Sequence, residues 1–237
     1  MEAGYTKSGS ANIYYEFRGD KTKKLLILLH GNGKSMESFN NLAPLLEPHF
    51  RLLLVDSRGH GKSEFGRAEL TLGASVIDIE NLIEELNLKK VNIFGFGDGA
   101  NIALLFAVKC PDMVESIILS GANYNFSGYS LVNRILLKLA YVCSKISGVF
   151  DAHNRLNKEY FSLIVKEPKL KKSTLSSIKA NTLILAATKD MIKLSHSKNM
   201  ASAIKNADIK IVDGDRFWIF RQPQKAANII IEYLNKF

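Results

Sequence analysis

The chain lacks an apolar run of membrane-spanning length. Its densest run, Leu25 to Leu29, is only strand length, whereas a helix that crosses a bilayer takes about 18 to 20 apolar residues. Met1 to Gly9 has no basic region followed by an apolar stretch and a small-residue cleavage site, so nothing there marks export. A cytoplasmic location with no membrane partner is the expectation. Cysteine is sparse: Cys110 and Cys143 are the two present, both in apolar, helix-patterned surroundings. An unpaired thiol in such a place behaves as a small buried hydrophobe, so neither a disulfide nor a metal site is expected, and no cofactor. Zinc-finger, helix-turn-helix and RNA-binding signatures are missing, as are internal repeats, linkers and low-complexity tracts.

What is present is a chain of 237 residues, 46% hydrophobic, enough to bury one large core. A single domain, 1–237, is expected. The net charge is +9 and is unevenly spread: residues 124–179 hold ten basic residues against three acidic ones. Clustered cations gain affinity for phosphate by releasing counterions. Without a recognition signature, however, the charge reads first as a solvated face and no nucleic-acid partner is expected.

Apolar patterning gives an alternating series. Asn12 to Phe17 has strand composition, and Lys24 to Leu29, Leu52 to Val55, Val91 to Phe94, Ser116 to Leu119, Thr182 to Ala186 and Ile209 to Val212 read as buried strands. Helical spacing marks Met36 to Leu46, Ser75 to Leu86, Ala100 to Lys109, Ser195 to Ile204 and Gln222 to Leu234. Such alternation predicts an α/β fold, a mostly parallel central sheet with helices on both faces. The series is interrupted at about 124–177, where helical patterns occur without a convincing strand; this segment is expected to form a small helical lid. Ligands of open parallel sheets sit at the C-terminal edge of the strands, beneath such a lid.

Several loops fall at that edge: His30-Gly31-Asn32-Gly33, Asp56-Ser57-Arg58-Gly59-His60-Gly61-Lys62-Ser63, Gly95-Phe96-Gly97-Asp98-Gly99 and Thr188-Lys189-Asp190. In order and spacing they resemble the α/β-hydrolase superfamily over essentially the whole chain. The resemblance implies an esterase- or lipase-like catalytic triad, with a serine at the centre of a glycine-framed elbow, an acid after a late strand and a histidine near the C-terminus. Here the nucleophile position is Gly97, the acid position Asp190 and the histidine position Arg216, seven residues before Pro223. Glycine has no attacking atom but accepts strained elbow dihedrals without steric cost. A guanidinium stays protonated and has no acceptor lone pair, so it cannot serve as a base.

No histidine follows His196. His30 and His60 in the motif loops, His49 in a connection, His153 in the lid and His196 at a helix start each read as solvated or structural, with His153 the one that a lid could bring down over the site. Asp98, one residue past the elbow, is read as contributing its backbone N–H with its side chain turned away. The resemblance implies an oxyanion hole from the N–H groups of Asn32 and Asp98.

These readings leave several functions open. One is a non-catalytic, small-molecule-binding pseudoenzyme, with anionic ligands among the candidates and with an ion pair between Asp190 and Arg216; in the competing view Arg216 is a surface residue. The alternative is an active hydrolase of small esters or amides, working through unidentified residues or carrying Gly97 as an engineered replacement. Nucleic-acid or acidic-surface binding through the lid is the third class. Oligomeric state is left open.

Overall fold

The computed structural model describes residues 2–67, 69–147 and 152–237, with 147 and 152–155 described by their backbone. Eight strands form one sheet in the order β1-β2-β4-β3-β5-β6-β7-β8. They are β1 (Glu2–Ser8), β2 (Ala11–Arg18), β3 (Leu25–Leu29), β4 (Arg51–Val55), β5 (Val91–Phe96), β6 (Val114–Ser120), β7 (Asn181–Lys189) and β8 (Ala207–Asp215). β2 runs antiparallel to both β1 and β4, and the other neighbours are parallel.

The central strands are continuous apolar runs because both of their faces are covered. Leu26, Leu28, Leu52 and Leu54 point to one side, where they pack with α1 (Ala43–Leu46) and α8 (Pro223–Leu234). Ile27, Leu29, Leu53 and Val55 point to the other and meet α2 (Leu72–Glu85) and α3 (Asp98–Lys109). α6 (Leu194–Ala201) packs on that second side through Met200. Thr71 caps α2, its hydroxyl accepting the N–H of Ala74 at 3.0 Å.

One expected helix is broken. Met36 to Leu46 divides into a 3₁₀ turn, Met36–Phe39, and the short α1. Pro44 lacks the N–H that a continuous helix would use there, so a new helix starts around it, with Pro in its first turn. The expected C-terminal helix forms as α8, opened by Pro223, and a separate short α7 (Trp218–Arg221) stands before it. β1 had no counterpart in the sequence reading, because its residues alternate between exposed and buried at the sheet edge.

Between β6 and β7 stand two long helices, α4 (Leu131–Ser147) and α5 (Ala152–Lys166), above the C-terminal edge. Ser130 caps α4, its hydroxyl accepting the Asn133 N–H at 3.2 Å. A small separate cluster holds α4 down, with Leu137 packed among Tyr129, Ile192, Phe161 and Ile164. Among the described residues no helix is long and apolar enough to cross a membrane, and no group of His, Cys, Asp and Glu could hold a metal ion.

Candidate active site

The tight turn from β5 into α3 fixes the site. A β-carbon on Gly95 would lie 2.4 Å from the Gly99 carbonyl oxygen, and one on Gly99 would lie 2.1 Å from that of Leu29. Strand and helix backbones therefore meet with no room for side chains at either residue. Between them Gly97 adopts φ 58°, ψ −119°, a left-handed conformation that residues with a β-carbon rarely take.

Asp190 follows β7 and Arg216 follows β8, and the adjacency of those strands brings the two residues together in front of Gly97. Arg216 Nη1 lies 3.6 Å from Asp190 Oδ1, and both side chains are largely buried. Arg216 Nη2 donates to the Gly121 carbonyl at 3.0 Å, and the guanidinium carbon stands 5.7 Å from the centre of the Phe96 ring. Arg216 therefore points inward, and the solvent-facing alternative is set aside. Asp190 Oδ1 also accepts the Ile192 N–H at 3.1 Å. Gly121 makes the arrangement possible: with φ 68°, a β-carbon there would fall 2.9 Å from Arg216 Nη2 and 3.3 Å from Asp190 Oδ2.

The side chain of Asp98 is not turned away, contrary to the sequence reading. Its Oδ1 accepts from Asn101 Nδ2 at 3.2 Å, Oδ2 is screened from solvent, and the side-chain amide of Asn32 acts on the same carboxylate. Burial raises its pKa, and the field of Arg216 opposes that rise. Asp98 thus faces the same buried space as the guanidinium, although other atoms of the residue keep some exposure. Asn101 is fixed by Asn123, whose N–H donates to Asn101 Oδ1 at 2.8 Å.

Tyr129 is the site residue that the sequence reading missed. Buried at 5% exposure, its phenol is pushed up by burial and by the Asp98 charge, and Arg216 opposes the shift. Nothing local in the sequence marks it, since it is one of several aromatics in the segment after β6.

The backbone N–H groups of Asn32 and Asp98 are given to no acceptor among the described residues. That of Asp98 belongs to the first turn of α3, where helices leave their N–H groups free. The Asn32 side chain also reaches the lid, Nδ2 donating to the Tyr160 carbonyl of α5 at 2.9 Å. Tyr160 also donates its hydroxyl to the Gly59 carbonyl at 2.9 Å and stacks on His60 with ring centres 4.6 Å apart. These contacts fasten α5 over the turn after β3. The space left beneath it, lined by Asp98, Asn32, Ile102 and Leu163 among others, amounts to about 10 Å³, about one water molecule. A roomier concavity of about 690 Å³ lies away from this site around Glu2, Phe17, Glu47 and Arg51. It contains no nucleophile beside a base.

The histidines serve structure. His30 accepts the Ser57 N–H at 2.9 Å, and burial lowers its pKa to about 3. His60 accepts the Gly33 N–H at 3.0 Å, and burial lowers its pKa as well. His196 accepts the Tyr124 N–H at 3.2 Å and stacks on that tyrosine at 3.9 Å, with its pKa lowered by burial to about 4. His49 is exposed in the connection to β4. The side chain of His153 lies outside the described residues.

A family profile described as the alpha/beta hydrolase fold matches residues 24–142. The chain belongs to that family, as its sheet order and elbow require. It is similar to a 2-hydroxy-6-oxononadienedioate/2-hydroxy-6-oxononatrienedioate hydrolase of Pseudomonas putida, 32% identical over 117 residues, which are 46% of this chain and 40% of that protein. The matched stretches span about a third of the curated relatives. Among solved structures it resembles a hydrolase from Pseudomonas aeruginosa with TM-score 0.84 and 20% identity, covering 98% of both chains. An enol-lactonase from Burkholderia xenovorans superposes with TM-score 0.80 at 17% identity, covering 98% of this chain and all of that one.

Proposed function

We propose that this chain is a non-hydrolytic member of the family, a pseudoenzyme whose cleft holds a small molecule and does not cut it. The observation that carries the reading is Arg216: where the triad needs a base, a guanidinium is held between Asp190 and the Gly121 carbonyl. Gly97 offers no attacking atom, so neither half of the proton transfer that activates a serine is available. Triad deletions in serine hydrolases leave only about 10³ to 10⁴-fold acceleration over water. Accordingly, purified protein should release short-chain p-nitrophenyl esters no faster than an equal mass of albumin; turnover that survives further purification rejects the reading.

The ligand group that fits is a carbonyl or carboxylate oxygen, taken by the N–H groups of Asn32 and Asp98. An anionic molecule is drawn toward the mouth by the lid's lysines more than by the floor, where Asp190 already offsets Arg216. Titration with acetate and butyrate should move the amide resonances of Asn32 and Asp98. If both stay fixed up to molar acetate, the oxygen-binding assignment fails.

The alternative of a working hydrolase draws on the hydrolases among its relatives and on the elbow backbone. A β-carbon on Gly97 would have neighbours no nearer than 3.5 Å, so a serine there has space.

A further inference from the structure

Helix α4 keeps an apolar face that none of the described residues covers. Val132, Ile135, Leu136, Leu139, Val142 and Ile146 are each more than half exposed. At 3.6 residues per turn they fall within an arc of about 120° along the whole helix. A contiguous patch of this size exceeds what monomeric soluble proteins ordinarily leave in water. Only a few of the remaining positions face inward, Leu137 and Ser144 being the buried ones.

The border of that arc is basic. Arg134, Lys145 and Lys138 follow one another around the helix beside the apolar residues, and Lys166 of α5 extends the row, its Nζ 5.7 Å from the ring of Tyr141. No acidic residue occurs anywhere in α4. An apolar stripe with a cationic margin is the pattern of a helix that lies in a lipid interface, its apolar side chains below the headgroups and its lysines among the phosphates. A second copy of the chain is a poorer match: antiparallel pairing of two α4 faces would set each basic row against its own mate, with no carboxylate on either helix to offset it.

We infer that α4 is a peripheral docking face for an anionic lipid surface, which would hold the lid, and with it the mouth of the cleft, against the membrane. This departs from the sequence-based expectation of no membrane partner, which rested on the absence of a spanning run and did not address a helix lying flat. The inference is independent of whether the cleft is catalytic.

Flotation with phosphatidylcholine vesicles, with and without about one-third phosphatidylglycerol, tests it. The intact protein should float with the anionic vesicles and far less with phosphatidylcholine alone, and about 0.5 M salt should release it. Leu139→Glu should lower partitioning more than about tenfold, and Lys138→Gln and Lys145→Gln about fivefold each. All three residues are exposed, so an unchanged melting temperature confirms that the variants fold. An environment-sensitive fluorophore on Cys143, exposed on the same arc while Cys110 is buried, should shift to the blue on anionic vesicles. Absence of flotation, or flotation that Leu139→Glu leaves unchanged, overturns the inference. Equal binding to both compositions overturns the anionic assignment. A dimer that Leu139→Glu dissociates, without vesicle binding, gives the face to a second copy.

Discussion

A β-carbon on Gly97 would sit 3.5 Å from Nη2 of Arg216, ordinary van der Waals contact. Glycine at 97 and arginine at 216 therefore do not depend on each other sterically: the guanidinium would tolerate a small side chain at the elbow.

Gly97→Ser should yield a folded protein that is less stable by about 1 to 3 kcal/mol, the cost of φ 58° for a residue with a β-carbon. Chemical denaturation measures the loss. Esterase activity should stay absent in this variant and emerge only with Arg216→His added. Activity in the serine variant alone would mean that another base serves the cleft.

Asp190→Ala removes the charge facing a largely buried guanidinium. A loss of about 3 to 5 kcal/mol is expected, as for other uncompensated buried ions. Replacing the pair together, as Asp190→Leu with Arg216→Met, should recover most of it in a double-mutant cycle.

Arg58 and Asp78 form a second buried pair, bonded through both Nε, at 2.9 Å, and Nη2. Asp78→Ala should again cost about 3 to 5 kcal/mol. The exposed Lys179–Asp112 pair, also at 2.9 Å, should tolerate Asp112→Ala with less than about 1 kcal/mol. Equal losses at the two sites would contradict the burial argument.

Acid should destabilise the protein. His30 and His196 have folded pKa values of about 3 and about 4, below the ordinary 6.5. Between 6.5 and those values the unfolded chain binds protons that the folded chain refuses, so stability falls as pH drops, by about 1.4 kcal/mol per unit for each histidine. Asp98, raised by burial, acts oppositely: its folded form holds a proton longer, and stability falls as pH rises above the carboxyl's ordinary 3.8. Denaturation midpoints from pH 7 to 4 should decline, and His196→Gln should flatten the slope. A flat wild-type profile would show that the imidazoles protonate in place.

The sheet was readable where burial is two-sided. Leu25 to Leu29 and Leu52 to Val55 are apolar throughout because helices cover both faces, and no local feature competes with that signal. β1 escaped notice because an edge strand such as Glu2–Ser8 is half solvated, and its alternation resembles a polar loop. At the site, Gly95, Gly97 and Gly99 could be placed because close backbone approach leaves a mark in sequence. The inward turn of Asp98, the burial of Tyr129 and the grip of Arg216 on Gly121 depend on contacts between residues up to 95 positions apart, which no local pattern encodes.

Tyr160 joins α5 to the loop after β4 through its hydroxyl and its ring, and to Asn32 through its carbonyl. If the cleft takes a small molecule as proposed, these contacts would act as a latch, and the guest would spend part of its affinity unfastening it. Measured dissociation constants would then understate how well the floor fits the guest, in proportion to how seldom the latch stands open. Loosening it with Tyr160→Phe, which keeps the ring on His60, should tighten binding even though the variant has lost a hydrogen bond.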